Sequence, residues 1–166
     1  SVSSKVQLQD FHRVEVRDGQ PVWEIQARDA KYFPLDRVTH VNDAKLLIFG
    51  DKKKAKGGIE GDVAVLSESA KLYLGGEGLL RAVLEGSSEI SSAGRMTLRT
   101  EGATFDIQSK DFRTDSSALV SGTGFTVKSD RMRYDVDQGV VVFDGFVQST
   151  FEQGAELTQV INNGGK

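Results

Sequence analysis

Few side chains in this sequence are of the types from which catalytic or metal sites are built. The two histidines, His12 and His40, both fall in polar-flanked strand-like stretches. Neither stands in a spacing such as His-Glu-x-x-His, which would offer two ring nitrogens to one zinc ion. The absence of cysteine removes thiolate ligands, thiol nucleophiles and disulfides together. There is no Gly-x-Ser-x-Gly elbow and no P-loop, and Gly122-Thr123-Gly124 is too short, without a helical pattern after it, to cradle a phosphate. Carboxylates are scattered along polar faces. A glycosidase pair is a matter of spatial approach rather than spacing, and nothing in the pattern recommends one. No catalytic residue, metal ligand or cofactor is therefore expected. The one charge run, Asp51–Gly58 with Lys52, Lys53 and Lys54, reads as a solvated hairpin tip, with a phosphate-contacting patch as the alternative. The net charge of −3 argues against nucleic acid as a partner.

What the chain repeats is an apolar spacing. Around Met132, Phe125 and Val127 precede and Tyr134 and Val136 follow. The same offsets around Ala103 give Met96, Leu98, Phe105 and Ile107, and around Ala70 they give Val63, Val65, Leu72 and Leu74. Around Ala30 they give Trp23, Ile25 and Tyr32, with Pro34 in the last place. Three residues before each centre stands something small: Ala27, Ser67, Thr100 or Ser129. Spacing by two is the period of a strand with one wet face. The single step of three breaks that period once, so each unit is predicted to be strand, bend, strand, with both halves turning the same apolar face inward. Copies begin at Trp23, Val63, Met96 and Phe125, 29 to 40 residues apart. That period marks a repeat-like β architecture in which one unit cannot bury its face alone.

The remaining segments supply pairing partners. Val6–Arg17 alternates and ends at an Asp18-Gly19 hairpin signal, and Val38–Phe49 is a further strand. At Leu79–Glu85 a helix competes, because Leu79, Leu80, Val83 and Leu84 would share a helical face. The alternation Leu80, Ala82, Leu84 fits a strand, and Gly78 and Gly86 leave only about two turns, so a strand is assigned. Ser109–Ser117 reads as a polar loop before the short strand Ala118–Val120, and Val140–Phe151 is the last strand. Residues 1–5 are expected to be a flexible start, 6–151 one domain, and 152–166 a polar, frayed tail. The opening Ser1-Val2-Ser3-Ser4, without Met, reads as a mature or truncated start, and no apolar run approaches the ~18 residues of a membrane span. The 18 glycines against two prolines suit many strands joined by tight turns. The expected class is all-β, with roughly eleven to fourteen strands, no helix, and two antiparallel layers closing on each other.

Two such layers enclose an apolar lane. Trp23, Ile25 and Tyr32 are expected to line it from the first unit, with Ile48 from the strand beside it. Val65 and Leu72, Leu84, Leu98 and Phe105, and then Phe125 and Tyr134 continue the lane. Most of these fill a core, yet nothing in the sequence closes the stack at its ends, so the seam is expected to open into a groove. Sheltering an acyl chain there is worth about 0.8 kcal/mol per methylene. The first and last strands are unpaired edges that invite another chain to add a strand; they carry Val6, Leu8, Val14 and Val16 on one side and Val142, Phe143, Phe146 and Phe151 on the other.

The segment PVWEIQARDAKYF at 21–33, followed by a strand ending LLIF, resembles the opening of the LptC family of lipopolysaccharide-export proteins. The run GTGFTVKSDRMRYDVDQGVVVFDGFVQSTF at 122–151 resembles the repeat shared by LptC, LptA and the N-terminal domain of LptD. The resemblance implies an elongated, slightly twisted antiparallel β-jellyroll open along one side. It also implies a non-enzymatic periplasmic bridge, normally tethered to the inner membrane by an N-terminal helix absent from this chain. Lipopolysaccharide would be taken from the inner-membrane transporter LptB/LptF/LptG at the N-terminal edge and passed to an LptA-like jellyroll at the C-terminal edge, the lipid A acyl chains lying inside. An LptA-like soluble bridge, and a β interaction module working through its edges without binding lipid, are the alternatives.

Overall fold

The computed structural model describes residues 5–50, 62–76, 78–92, 96–152 and 160–163; the charge run at Asp51–Gly58 lies outside them. Among the described residues there are eleven strands in one sheet: β1 (Val6–Arg17), β2 (Gln20–Phe33), β3 (Val38–Ile48), β4 (Val63–Gly75), β5 (Gly78–Ser92), β6 (Met96–Asp106), β7 (Asp111–Thr114), β8 (Ala118–Gly122), β9 (Phe125–Asp135), β10 (Val140–Phe151) and β11 (Val160–Asn163). Neighbours in sequence are mostly neighbours in the sheet. β7 and β8 together fill one lane, β7 pairing one half of β6 and β8 the other, before both pair with β9. All pairs are antiparallel except β10 with β11, which is parallel. At the β1–β2 hairpin both turn residues have positive φ, Asp18 at 51° and Gly19 at 73°, the turn whose twist matches its flanking strands.

A crease runs across this sheet. In β4, Val63, Val65 and Ser67 are buried, and then Ala70 and Leu72, so the inward phase slips by one residue at the middle of the strand. β2, β6 and β9 slip at the equivalent place. Where the small residue is Ser or Thr, its hydroxyl donates to the carbonyl two residues on, from Ser67 to Ser69 (2.8 Å), Thr100 to Gly102 (3.2 Å) and Ser129 to Arg131 (2.7 Å). It thereby satisfies a carbonyl that the bulge would otherwise leave without a ladder partner. The intervening strands turn instead through a left-handed residue: Asp10 (φ 52°) in β1, Asp43 (51°) in β3, Gly86 (78°) in β5 and Gly145 (84°) in β10. The ladder registers skip or shift at each. The two halves of the sheet fold over this line, and buried residues from both halves make one continuous core.

Gly145 tests the crease. An added Cβ would stand 2.7 Å from the Asp130 Cβ, and Asp130 is the residue whose carboxylate accepts the Phe146 amide at 2.8 Å. Gly145→Ala is expected to destabilise by about 1–3 kcal/mol through combined φ strain and collision. Gly102→Ala, whose Cβ would meet nothing closer than 3.7 Å, should stay within about 0.5 kcal/mol. Urea unfolding midpoints of the two variants check this.

Two sequence expectations are corrected by the strands. Ser109–Ser117 is not wholly a loop, because Asp111–Thr114 forms β7. β5 extends from Gly78 through to Ser92, and its inward residues begin Leu79, Ala82, Leu84. A register shift between Tyr73 and Leu74 of β4 leaves Leu80 exposed. Toward the C-terminus, Val160–Asn163 pairs with β10.

Candidate functional site

The space between the folded halves is apolar, and the two halves of the repeat line it from opposite sides. Ile25, Ile48, Val65 and Leu98 come from one layer, and Leu72, Leu84, Phe105 and Tyr134 from the other; all are buried, as is Trp23. The layers touch through a hydrogen bond, Tyr134 OH donating to Ser92 Oγ at 3.2 Å. Tyr134 belongs to the β9–β7–β6 side by its register with Phe112, whereas Ser92 lies opposite Val63 and Met96 in the other layer. This contact ties together strand ends remote from the crease.

The interior is graded along the sheet. Toward β6–β9 it is filled by a ladder of rings, Phe105 on Phe112 at 4.3 Å and Phe112 beside Tyr134 at 6.4 Å. Toward β2–β5 the inward apolar residues are aliphatic apart from Trp23, and a recess where Ala44, Ala70 and Ala82 meet Ile25, Leu46 and Leu72 has room for about one water-sized sphere. Burial raises the Tyr134 hydroxyl above its ordinary value near 10, opposed by its bond with Ser92. The neutral phenol is therefore the form the fold prefers. Its contribution is complete below about pH 10 and is lost as pH rises through the higher folded-state value. Tyr134→Phe is expected to cost about 1 kcal/mol at neutral pH and to flatten the fall in stability above pH 10, read from urea midpoints across that range.

Not every expected lining residue is enclosed. Tyr32 and Phe125 are half-buried at the ends of their strands, and Phe125 instead stacks on Phe151 at 6.4 Å. Conversely, Phe143, expected on an exposed edge, is 1% exposed: it pairs with Met132 and shares its inward face. Phe112, Ser92 and Ala44 were not marked by the sequence. Phe112 sits in a strand too short to show a period, and the others look like any small strand residue.

The two ends of the sheet differ. At β1, Val6 lies opposite Tyr32 and Leu8 opposite Ala30, so both face the interior side, yet they are 52% and 47% exposed. The apolar lane is thus uncovered at this end. Val14 and Val16 are exposed as well. Arg13 stands over the Trp23 ring at 5.7 Å, and the Glu15 carboxylate lies where a Cβ on Gly78 of the other layer would collide with it. At the far end Val142 is half-buried, while Phe146 and Phe151 are exposed. Among the described residues there is no group of three or more His, Asp or Glu that would hold a metal ion, and no helix long and apolar enough to cross a membrane.

A long sheet creased along its middle, apolar inside and exposed along its first strand, is an open β-jellyroll. A family model described as "Lipopolysaccharide-assembly, LptC-related" matches residues 3–152, and the chain belongs to that family. Among solved structures it is similar to the crystal structure of LptH, the LptA homologous periplasmic component of the conserved lipopolysaccharide transport device from Pseudomonas aeruginosa. The TM-score is 0.53, with 13% identity over 82% of this chain and 87% of that one. At that identity the likeness speaks for the fold. No curated protein matches the chain in a sequence comparison.

Proposed function

We propose that this chain is a periplasmic bridge component of lipopolysaccharide transport that shelters the lipid A acyl chains between its two layers. It takes them at the β1 end from an inner-membrane transporter and yields them at the β10 end to an LptA-type jellyroll. No step is chemical: cargo moves because each compartment removes apolar surface from water, at about 0.8 kcal/mol per methylene. The observation that carries the reading is the continuous inward lane of the repeat, which runs through both layers and emerges uncovered at Val6 and Leu8. Space for one water-sized sphere does not admit an acyl chain, so loading requires the layers to part at the strand ends that Tyr134 and Ser92 join. The small recess also favours a second reading, a packed module that works only through its edges.

Photocrosslinking separates the two. A diazirine analogue of leucine at Leu72, inward, is expected to capture lipopolysaccharide, while the same probe at Leu66, exposed on the outer face of the same strand, is not. Equal labelling from both positions, or none from Leu72, would leave only the edge module.

A further inference from the structure

The outer edge of β10 is divided at its bulge. Over Val141–Asp144 it is already occupied: Val160–Asn163 lies parallel to it, with Val141 opposite Val160 and Val142 opposite Ile161. Past Gly145 the strand continues to Phe151 with β9 as its one partner among the described residues, and Phe146 and Phe151 are 60% and 49% exposed. The strand VVVFDGFVQSTF carries a single charged side chain, Asp144. An edge this apolar is prone to pair with any passing strand unless something covers it. Four residues in parallel register are a light cover, since parallel pairing is slightly weaker per residue than antiparallel. Because the segment belongs to the same chain, it competes at high effective concentration.

We propose that Val160–Asn163 is a detachable cap on the docking edge of β10. It guards the half of the edge before Gly145, while an LptA-type jellyroll pairs first along the open half toward Phe151 and then displaces it. This rests on the reading of β10 as the partner edge. A cap paired for nine-tenths of the time lowers apparent partner affinity about tenfold, because only the uncapped fraction is fully competent.

The chain has no cysteine, so Val142→Cys with Ile161→Cys provides a clasp that closes on oxidation and opens on reduction. The full chain carrying both is titrated with the cognate LptA-type jellyroll by calorimetry. The oxidised form is expected to bind at least tenfold more weakly than the reduced form, and Ile161→Pro, which disrupts the pairing, about tenfold more tightly than the parent. Amide hydrogen exchange on the chain alone is the independent reading: amides in 160–163 should be protected in the parent and lose protection in Ile161→Pro. Equal binding by oxidised and reduced forms, or unprotected 160–163 amides in the parent, overturns the cap. Protected amides with no partner binding by any form overturn β10 as the partner edge, and displacement with it, while leaving the self-pairing standing.

Discussion

Phe105→Ala is expected to lower the unfolding free energy by about 3–5 kcal/mol. The ring is 0% exposed, lies on Phe112 at 4.3 Å, and pairs across the ladder with Ala82 on one side and Phe112 on the other. Removing it leaves a void that neither neighbour can fill, because Ala82 is short and Phe112 is held by its own stack with Tyr134. A domain of this size has about 5–15 kcal/mol to lose, so the variant should unfold at a clearly lower urea midpoint. Phe151→Ala, at a ring 49% exposed, should cost about 1 kcal/mol or less. The contrast reports on the fold rather than on phenylalanine, and a loss below about 1 kcal/mol at Phe105 would mean that the two layers are not packed as described.

Ala70→Phe should have the largest functional effect with the fold retained. Ala70 lies on the inner face of β4 and lines the recess, just past the crease, where a ring would occupy the space that, on the proposed function, parting layers open to cargo. Overpacking there is expected to cost about 1–3 kcal/mol, which the domain survives. Capture of lipopolysaccharide should fall at least tenfold. Ala64→Phe puts the same ring on the outward face of the same strand and should leave capture unchanged. Binding of lipopolysaccharide to immobilised protein, with circular dichroism as the check on folding, compares the two.

The crease was legible in β2, β4, β6 and β9 because those strands keep strict alternation on both sides of it and mark it with a small residue. The sequence predicted a bend there, and the hydroxyl-to-carbonyl bonds of Ser67, Thr100 and Ser129 explain why three of the four small residues are Ser or Thr. In β3, β5 and β10 the turn is made by Asp43, Gly86 and Gly145. Asp and Gly in a strand announce a loop as readily as a bulge, so the crease was not visible there. β7 was lost in a polar stretch because four residues show no period, and with it went Phe112, at the centre of the ring ladder. Phe143 looks like an edge residue because its strand comes late in the chain. Whether a side chain faces in or out depends on register rather than on place in sequence, and the pairing with Met132 turns it inward. The half-cover of β10 was illegible for a related reason: parallel pairing by four residues of a polar tail leaves no pattern.

On the proposed function, the interior between the layers is the cargo compartment and opens by their separation. Its most direct test is a distance across the fold, with and without cargo. Ser91 and Arg81 stand on the outer faces of opposite layers, both in β5, and the cysteine-free background lets Ser91→Cys and Arg81→Cys carry spin labels uniquely. Upon binding of lipopolysaccharide, the distance measured by pulsed electron resonance is predicted to lengthen by roughly 4 Å, the van der Waals thickness of one hydrocarbon chain. Saturating lipopolysaccharide bound with that distance unchanged would contradict the account.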